Sequence, residues 1–526
     1  NHFIVPASQQ GQRVRLNFDA INWKADIYLN GTYIGKIEGA FIRGQFDVTD
    51  YIRFGEENYL AVFIHCNDTP GDVTEQTYDN VGPNGGALGA DAPTIHASVG
   101  WDWVPTIRGR NIGIYEDVYL TYSQNVVVQD PWVITDLDLE SGDFSTAELT
   151  VKTNLINPTD QPVTVTVEGE ISPSGLTFTS EPVPLQAGET LSNIEIARLT
   201  MSDPRLWWPN TYGEQFLYTC DIRVRDGDTV SDEESFSFGV REYSYDTNNN
   251  MKLFCNGVHI ICRGGNWGMD DSNLAATPED YEIKIRFHHD LNFTMIRNWV
   301  GMTNHRAFYE ACDKYGIMVW DDFWLANPGD GPNPNDEEMF IRNARDKVSR
   351  NRSHPSVVMY CGRNEGYPPE TLDEAFAEMT EELDGTRVYI SHSAADSVGG
   401  GGPYGVQSPK WYFTHTYERL QSERGLPNIP TYESMLRMLT EEHAWPIDDV
   451  WGLHDYCRYG AQGVEFYNQY METSYGTPDS LEEFVRYAQM INYEAHKAMF
   501  EAVYACESDG VLMWMSQSAW PSMVWQ

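Results

Sequence analysis

At 526 residues the chain is too long for a single hydrophobic core, and two to four domains are expected. With 35 basic residues against 78 acidic ones, its formal charge of −43 repels phosphate backbones and argues against nucleic acid as a partner. No run approaches the ~18 apolar residues of a membrane helix, so no membrane partner is expected either.

The acids are spread along the chain rather than blocked, as on a solvated surface. Sixteen Trp and 30 Tyr offer flat apolar faces with polar edges, which suit sugar stacking or the cores of β-rich domains. The eight Cys form no CxxC pair and no zinc-like cluster, and most lie in apolar runs where a buried free thiol is the default. No metal or cofactor is expected. The chain opens at Asn1 within a β-patterned stretch, so an upstream segment carrying the cellular address is expected to be missing. A periplasmic or extracellular setting is favoured, with a cytoplasmic one left open.

Residues 1–122 read as all-β. Val14, Leu16, Phe18 and Ala20 alternate with polar neighbours at strand period. Asn30-Gly31 between two apolar runs is a two-residue hairpin signal. Strands are also expected at 59–64 and 117–121. Between them, residues 67–100 form a long polar loop of a length usually tied to function or mobility. Residues 123–242 form a second β-block, whose size and short strands suit an immunoglobulin-like sandwich. There Ala147–Asn154 is expected to pair with Val163–Glu168, and Phe216–Arg225 with Glu233–Val240.

From 243 to 526 strands alternate with helices. Val258–Cys262 reads as a strand, and Thr277-Pro278 as a helix cap followed by Pro at the first helical position. Phe293–Trp299 is the next strand, and Thr303 is expected to cap a helix that Gly316 ends. Ile317–Phe323 follows, then a helix from Asp336 to about Asn351, then the strand beginning at Val357. Leu372, Phe376, Met379 and Leu383 mark another helix. Val388–Ser391, Trp411–His415, the stretch before Glu423, and Val511–Trp514 bring the strands to eight. That pattern predicts a (β/α)8 barrel.

The stretch Val357-Val-Met-Tyr-Cys-Gly-Arg-Asn-Glu365 is apolar until its end. A parallel barrel strand is buried on both faces and delivers polar groups at its C-terminal rim. Glycosidic cleavage needs one carboxylic acid to protonate the leaving oxygen and a second carboxylate opposite it. Glu365 is the first candidate. Glu423 is the second, with Glu418 and Glu433 as local competitors that spacing does not exclude. Asn364 can hold a sugar hydroxyl or a neighbouring carboxylate. Asp270, Asp271, Asp321 and Asp322 end two other strands, as substrate ligands or a cation site. The loop 330–336 is rich in oxygen ligands but lacks calcium-loop spacing, so a plain turn is expected.

Several stretches together resemble glycoside hydrolase family 2, in its β-mannosidase and exo-β-glucosaminidase branch. They are Arg263-Gly-Gly-Asn-Trp-Gly-Met-Asp-Asp271, Met295-Ile-Arg-Asn-Trp299, Tyr315-Gly-Ile-Met-Val-Trp-Asp-Asp-Phe, Gly362-Arg-Asn-Glu365, Ser422-Glu423-Arg-Gly425 and Leu512-Met-Trp514 through Trp520-Pro. Upstream, Gly100-Trp-Asp-Trp-Val-Pro resembles the family's sugar-binding jelly roll, and Leu206-Trp-Trp-Pro-Asn its immunoglobulin-like domain. The resemblance implies Glu365 as acid/base and Glu423 as nucleophile, in preference to Glu433. It also implies a substrate pocket drawn from Arg263, Trp267, Asp271, Trp299, Asn364, Trp411, His415, Trp514 and Trp520, with Asp102 reaching its rim. For Trp411 a core role is slightly preferred to that of a sugar platform. Arg363 replaces the family's usual small residue. It would face an acidic sugar or, preferably, pair with a surface carboxylate.

The expected protein is therefore a jelly roll, an immunoglobulin-like sandwich and a (β/α)8 barrel. Its expected reaction is that of a retaining exo-β-glycosidase, with carboxyl groups about 5–5.5 Å apart. The partner is an oligosaccharide or glycoside, with β-mannoside first and β-glucosaminide or β-galactoside as alternatives, and a homodimer is left open. The rival from another class is an inactive carbohydrate-binding protein on the same scaffold.

Overall fold

The computed structural model describes residues 1–526 except 70–76, 80–90, 96–110, 270, 272, 329–330, 460–462 and 526. In the first domain, one antiparallel sheet runs His2–Ile4, Glu57–His65, Lys24–Leu29, Thr32–Glu38, and another runs Gly44–Asp47, Arg13–Phe18, Val118–Ser123. Val14, Leu16 and Phe18 from the second sheet share a core with Ile27 and Leu29 from the first. The Asn30-Gly31 hairpin forms, both residues at positive φ as a tight hairpin turn requires.

The second domain is a two-sheet sandwich, with one pairing unlike the expectation. Thr146–Ile156 pairs with Val127–Leu137 and Thr190–Ser202, whereas Val163–Ser172 pairs with Leu176–Thr179 and Tyr218–Asp226. The connection 157–162 crosses between sheets instead of closing a hairpin. That crossing lets Leu149, Val151 and Leu155 meet Val165, Val167 and Ile171 across the core. The expected hairpin of Tyr218–Asp226 with Thr229–Phe238 does form.

The third domain is a curled parallel sheet ordered Val388–His392, Val357–Arg363, Met318–Asp322, Met295–Asn298, Cys262–Trp267, Gly510–Gln517, Gln421–Gly425. Three expectations fall here. Val258–Ile260 is not the first barrel strand: it pairs antiparallel with Lys252–Cys255 in a small sheet ahead of the barrel, turned at Asn256-Gly257. Trp411–His415 is not the sixth strand but the end of a helix, Pro409–His415, with Pro at its first position. The sixth place is held by the chain at Gly399, which accepts from the Ser422 N–H (2.7 Å) and donates to the Leu420 carbonyl (2.8 Å). Finally, His305 rather than Thr303 caps the helix Arg306–Tyr315, its ring nitrogen accepting from the Ala307 N–H. No helix among the described residues is long and apolar enough to cross a membrane.

The domains dock through specific contacts. Phe41 of the first stacks on Trp324 of the barrel (4.4 Å, 7°), and Arg43 bridges Asp130 of the second domain and Asp346 of the barrel. A cavity of about 450 Å³ between the three domains is lined by Asp19, Arg43, Glu234 and Arg306 among others. Burial there, together with Asp130 and Asp232, pushes the Glu234 carboxyl up to about 8. A carboxyl raised in the folded state adds stability that is whole below its unfolded value and is lost as pH rises through 8. Glu234→Gln should therefore melt like the wild type at pH 5 and at a higher temperature at pH 8. Equal melting shifts at both pH values would contradict this.

Candidate active site

Glu423 lies within the strand Gln421–Gly425, on the inner face and almost fully buried. Arg297, from Met295–Asn298, donates to its Oε1 at 2.5 Å. The same guanidinium holds Asp322 through Nε and Nη2 (3.0 and 2.7 Å) and donates to Asn364 Oδ1 (2.8 Å). Burial works against the charge on Arg297, but Asp322 and Glu423 outweigh it and raise its pKa. Asp321 and Asp322 are thus structural anchors. Asp321 pairs with Lys347 (2.7 Å) and also accepts from Asn298 and Tyr309.

Glu365 follows the strand Val357–Arg363 at positive φ (44°), a region that non-glycine residues rarely adopt. Its N–H donates to Ser393 Oγ at 2.9 Å, and the preceding Asn364 N–H donates to the Leu325 carbonyl. Asn364 is fastened to Arg297 and so sits between the two glutamates. Tyr404 closes the site from the loop after the Gly399–Gly402 run. Its hydroxyl lies 2.9 Å from Glu365 Oε1 and 2.6 Å from Glu423 Oε2. These two legs cap the gap between the bridged oxygens at about 5.5 Å, the span of a retaining pair. Burial and the two carboxylates hold the phenol well above its ordinary range, so it remains a donor. The glycines allow this approach: a Cβ on Gly400 would collide with Ser422 Oγ, and Gly401 takes a φ of 76°, a left-handed conformation that favours glycine.

Burial pushes the Glu423 carboxyl up to about 7; Glu365 adds to this, while Arg297 and the Tyr404 hydroxyl oppose it. Aromatic rings line the neighbourhood. Trp514 lies edge-on to Trp299 (5.2 Å), Tyr404 (6.2 Å) and Trp525 (6.1 Å).

Other expected site residues stand elsewhere. Neighbours on a strand face opposite ways, so Arg424, next to Glu423, turns outward. There it lies over the Trp411 ring and donates to the His415 carbonyl, and Trp411 stacks on His415 (4.5 Å, 5°), so both belong to the outer layer. Trp267 likewise faces the helices, donating to Thr303 Oγ1 and packing against His288 and Phe308. Arg263 points outward to Tyr504 and Thr211. The Asp271 carboxylate caps its own loop at the Ala275 N–H. Trp520 is half-buried and stacks on His454. Arg363 is buried and bound to the carbonyls of Ala326 and Gly331 and to Asn333 Oδ1, so it ties down a loop in place of the expected surface carboxylate. Asp102 and Asp270 lie outside the described residues. Sequence reading passed over Arg297 and Tyr404, whose side chains hydrogen-bond the candidate carboxylates.

Comparison with known proteins agrees with this architecture. Family models match in chain order: "Glycosyl hydrolase 2 galactose-binding domain-like" at 1–116, "Glycosyl hydrolases family 2" at 126–241, and "Glycosyl hydrolases family 2, TIM barrel domain" at 289–399. A mannosylglycoprotein endo-β-mannosidase of Lilium longiflorum is 30% identical over 98% of this chain and 60% of its own. An exo-β-D-glucosaminidase of Streptomyces avermitilis is 28% identical over 98% and 58%. The chain thus spans about three-fifths of the length of these relatives. Among solved structures, an exo-chitosanase of Amycolatopsis orientalis superposes with a TM-score of 0.84 at 22% identity, covering all of this chain and 62% of its own. A β-D-mannosidase of Dictyoglomus thermophilum gives 0.82 at 24%, covering all of this chain and 68% of its own.

Proposed function

We propose, from the premise that the chain belongs to glycoside hydrolase family 2, that it is a retaining exo-β-glycosidase acting on terminal β-linked hexosides. The carrying observation is the single Tyr404 hydroxyl that touches both carboxylates, a gap too short to seat a water for inversion. Glu423, oriented by Arg297 and Tyr404, attacks the anomeric carbon to give a covalent glycosyl-enzyme. Glu365 gives its proton to the leaving oxygen, then takes one from the water that attacks the intermediate. Asn364, held by Arg297, is placed to bind a hydroxyl of the reacting sugar. β-Mannoside is the first substrate, with β-glucosaminide next, and the relatives named above act on both classes of sugar.

The test is a panel of nitrophenyl β-glycosides, with the first-formed anomer followed by NMR. Turnover of the mannoside or glucosaminide with the β anomer formed first is the expected result. A first-formed α anomer would overturn the mechanism. Sugar binding with no turnover anywhere in the panel would favour an inactive carbohydrate-binding protein. One relative is an endo-enzyme, so a substrate blocked at its non-reducing end separates the modes: an exo-enzyme leaves it intact.

A further inference from the structure

We propose that Tyr367 and Asp396 form a leaving-group subsite that takes a pyranose ring. The inference rests on Glu365 being the proton donor. The cleaved bond then lies over the gap between the two glutamates, with the reacting sugar on the side of Glu423. The leaving group must pass beyond Glu365, and the segments 365–367 and 392–396 are among those that flank it, tied together by the Ser393 hydroxyl, with the Glu365 charge acting on His392.

That surface is built rather than incidental. The Glu365 N–H donates to Ser393 Oγ (2.9 Å), fastening the end of the fourth barrel strand to the segment after the fifth. Two residues on, Tyr367 is 51% exposed. It is nevertheless held at both ends. Its hydroxyl donates to Asp396 (3.1 and 3.2 Å to the two oxygens), and its ring meets the His392 ring edge-on (4.8 Å, 76°). His392 is itself fixed, its Nδ1 accepting from the Ala394 N–H (2.9 Å). Burial lowers the His392 pKa while Asp396 and Glu365 raise it, so both carboxylates act on one imidazole. Asp396 sits at φ 58°, a conformation its short polar side chain tolerates.

An exposed aromatic ring already immobilised loses little entropy when a ligand stacks on it. A carboxylate has about four acceptor positions, and one phenol leaves room for sugar hydroxyls. A pinned ring with an acceptor at its edge, next to the acid, matches the apolar face and the hydroxyl rim of a pyranose.

The experiment compares two substrates with the same terminal sugar. One is a β-linked disaccharide, whose second ring would occupy the subsite. The other is the β-glycosyl fluoride, whose leaving group is too small to reach it. For Tyr367→Ala the ratio of disaccharide to fluoride kcat/KM should fall about tenfold, the size of one lost aromatic contact. Asp396→Asn, which keeps a residue suited to positive φ, should lower the same ratio in the same direction. Tyr367→Phe should lie between wild type and Tyr367→Ala. A parallel loss on both substrates, leaving the ratio unchanged, would overturn the subsite while leaving the hydrolase intact. A wild type inert on both substrates would instead overturn the glycosidase reading and the subsite with it.

Discussion

Glu423→Ala is expected to lower kcat on an aryl β-glycoside by about four orders of magnitude or more, while the variant remains folded and still binds sugar. The size follows from the role. Without the carboxylate no glycosyl-enzyme forms, and removing the nucleophile of a double-displacement enzyme leaves only positioning and electrostatic help. The cavity left by the side chain keeps its Arg297 guanidinium and Tyr404 hydroxyl, two donors that suit a small anion. Added azide should therefore enter, attack the anomeric carbon directly and yield the α-glycosyl azide. A related effect is visible in the wild type. Burial holds the Glu423 carboxyl up at about 7, and only the ionised form can attack, so kcat/KM should decline as pH falls below that value. An Ala variant with wild-type turnover, or one that azide converts to the β product, would remove Glu423 from the mechanism.

Glu365 was legible because it follows an apolar strand, where burial on both faces makes an acid at the end conspicuous, whereas Glu423 lies in the polar strand Gln-Ser-Glu-Arg-Gly and only its family-like motif set it apart from Glu433. Their partners were hidden for physical reasons. Arg297 lies inside Met-Ile-Arg-Asn and looks like an ordinary polar interruption until the fold sets it across from Asp322 and Glu423. Tyr404 follows a glycine run and a Pro, a setting that reads as a bare loop. Its role depends on Gly400 allowing the backbone close to Ser422 and on Gly401 taking a left-handed conformation, which no periodicity reports.

Some misplacements had signals that were available. Asn256-Gly257 between apolar neighbours is a hairpin pair, and it turns Val258–Ile260 back onto Lys252–Cys255, ahead of the barrel strand beginning at Cys262. Ser408-Pro409 is a helix-start pattern directly ahead of Trp411. Missing it put Trp411 and His415 on a strand and so into the pocket. The Trp residues divide by facing: Trp267 and Trp411 lie in the outer layer, whereas Trp299 and Trp514 stand with Tyr404. Composition favours neither outcome.

Glu365→Ala is expected to separate substrates by their leaving groups. A disaccharide departs as an alkoxide unless it is protonated, so its kcat/KM should fall about a thousandfold, within the range of general acid catalysis. A dinitrophenyl glycoside needs no proton, so its first step should remain fast. Its second step loses the base that activates water, and the glycosyl-enzyme should accumulate. The expected record is a burst of dinitrophenolate equal to the enzyme present, followed by slow turnover at a lowered KM. Azide, which needs no base, should accelerate that slow phase and give the β-glycosyl azide, the anomer opposite to that expected from Glu423→Ala. Tyr404 makes the comparison sharp. Its hydroxyl touches Glu365 and Glu423 alike, so Tyr404→Phe would disturb both steps, whereas Glu365→Ala leaves the contact to Glu423 in place. Equal losses on the two substrates, with no burst and no response to azide, would mean that Glu365 shapes the pocket without moving a proton.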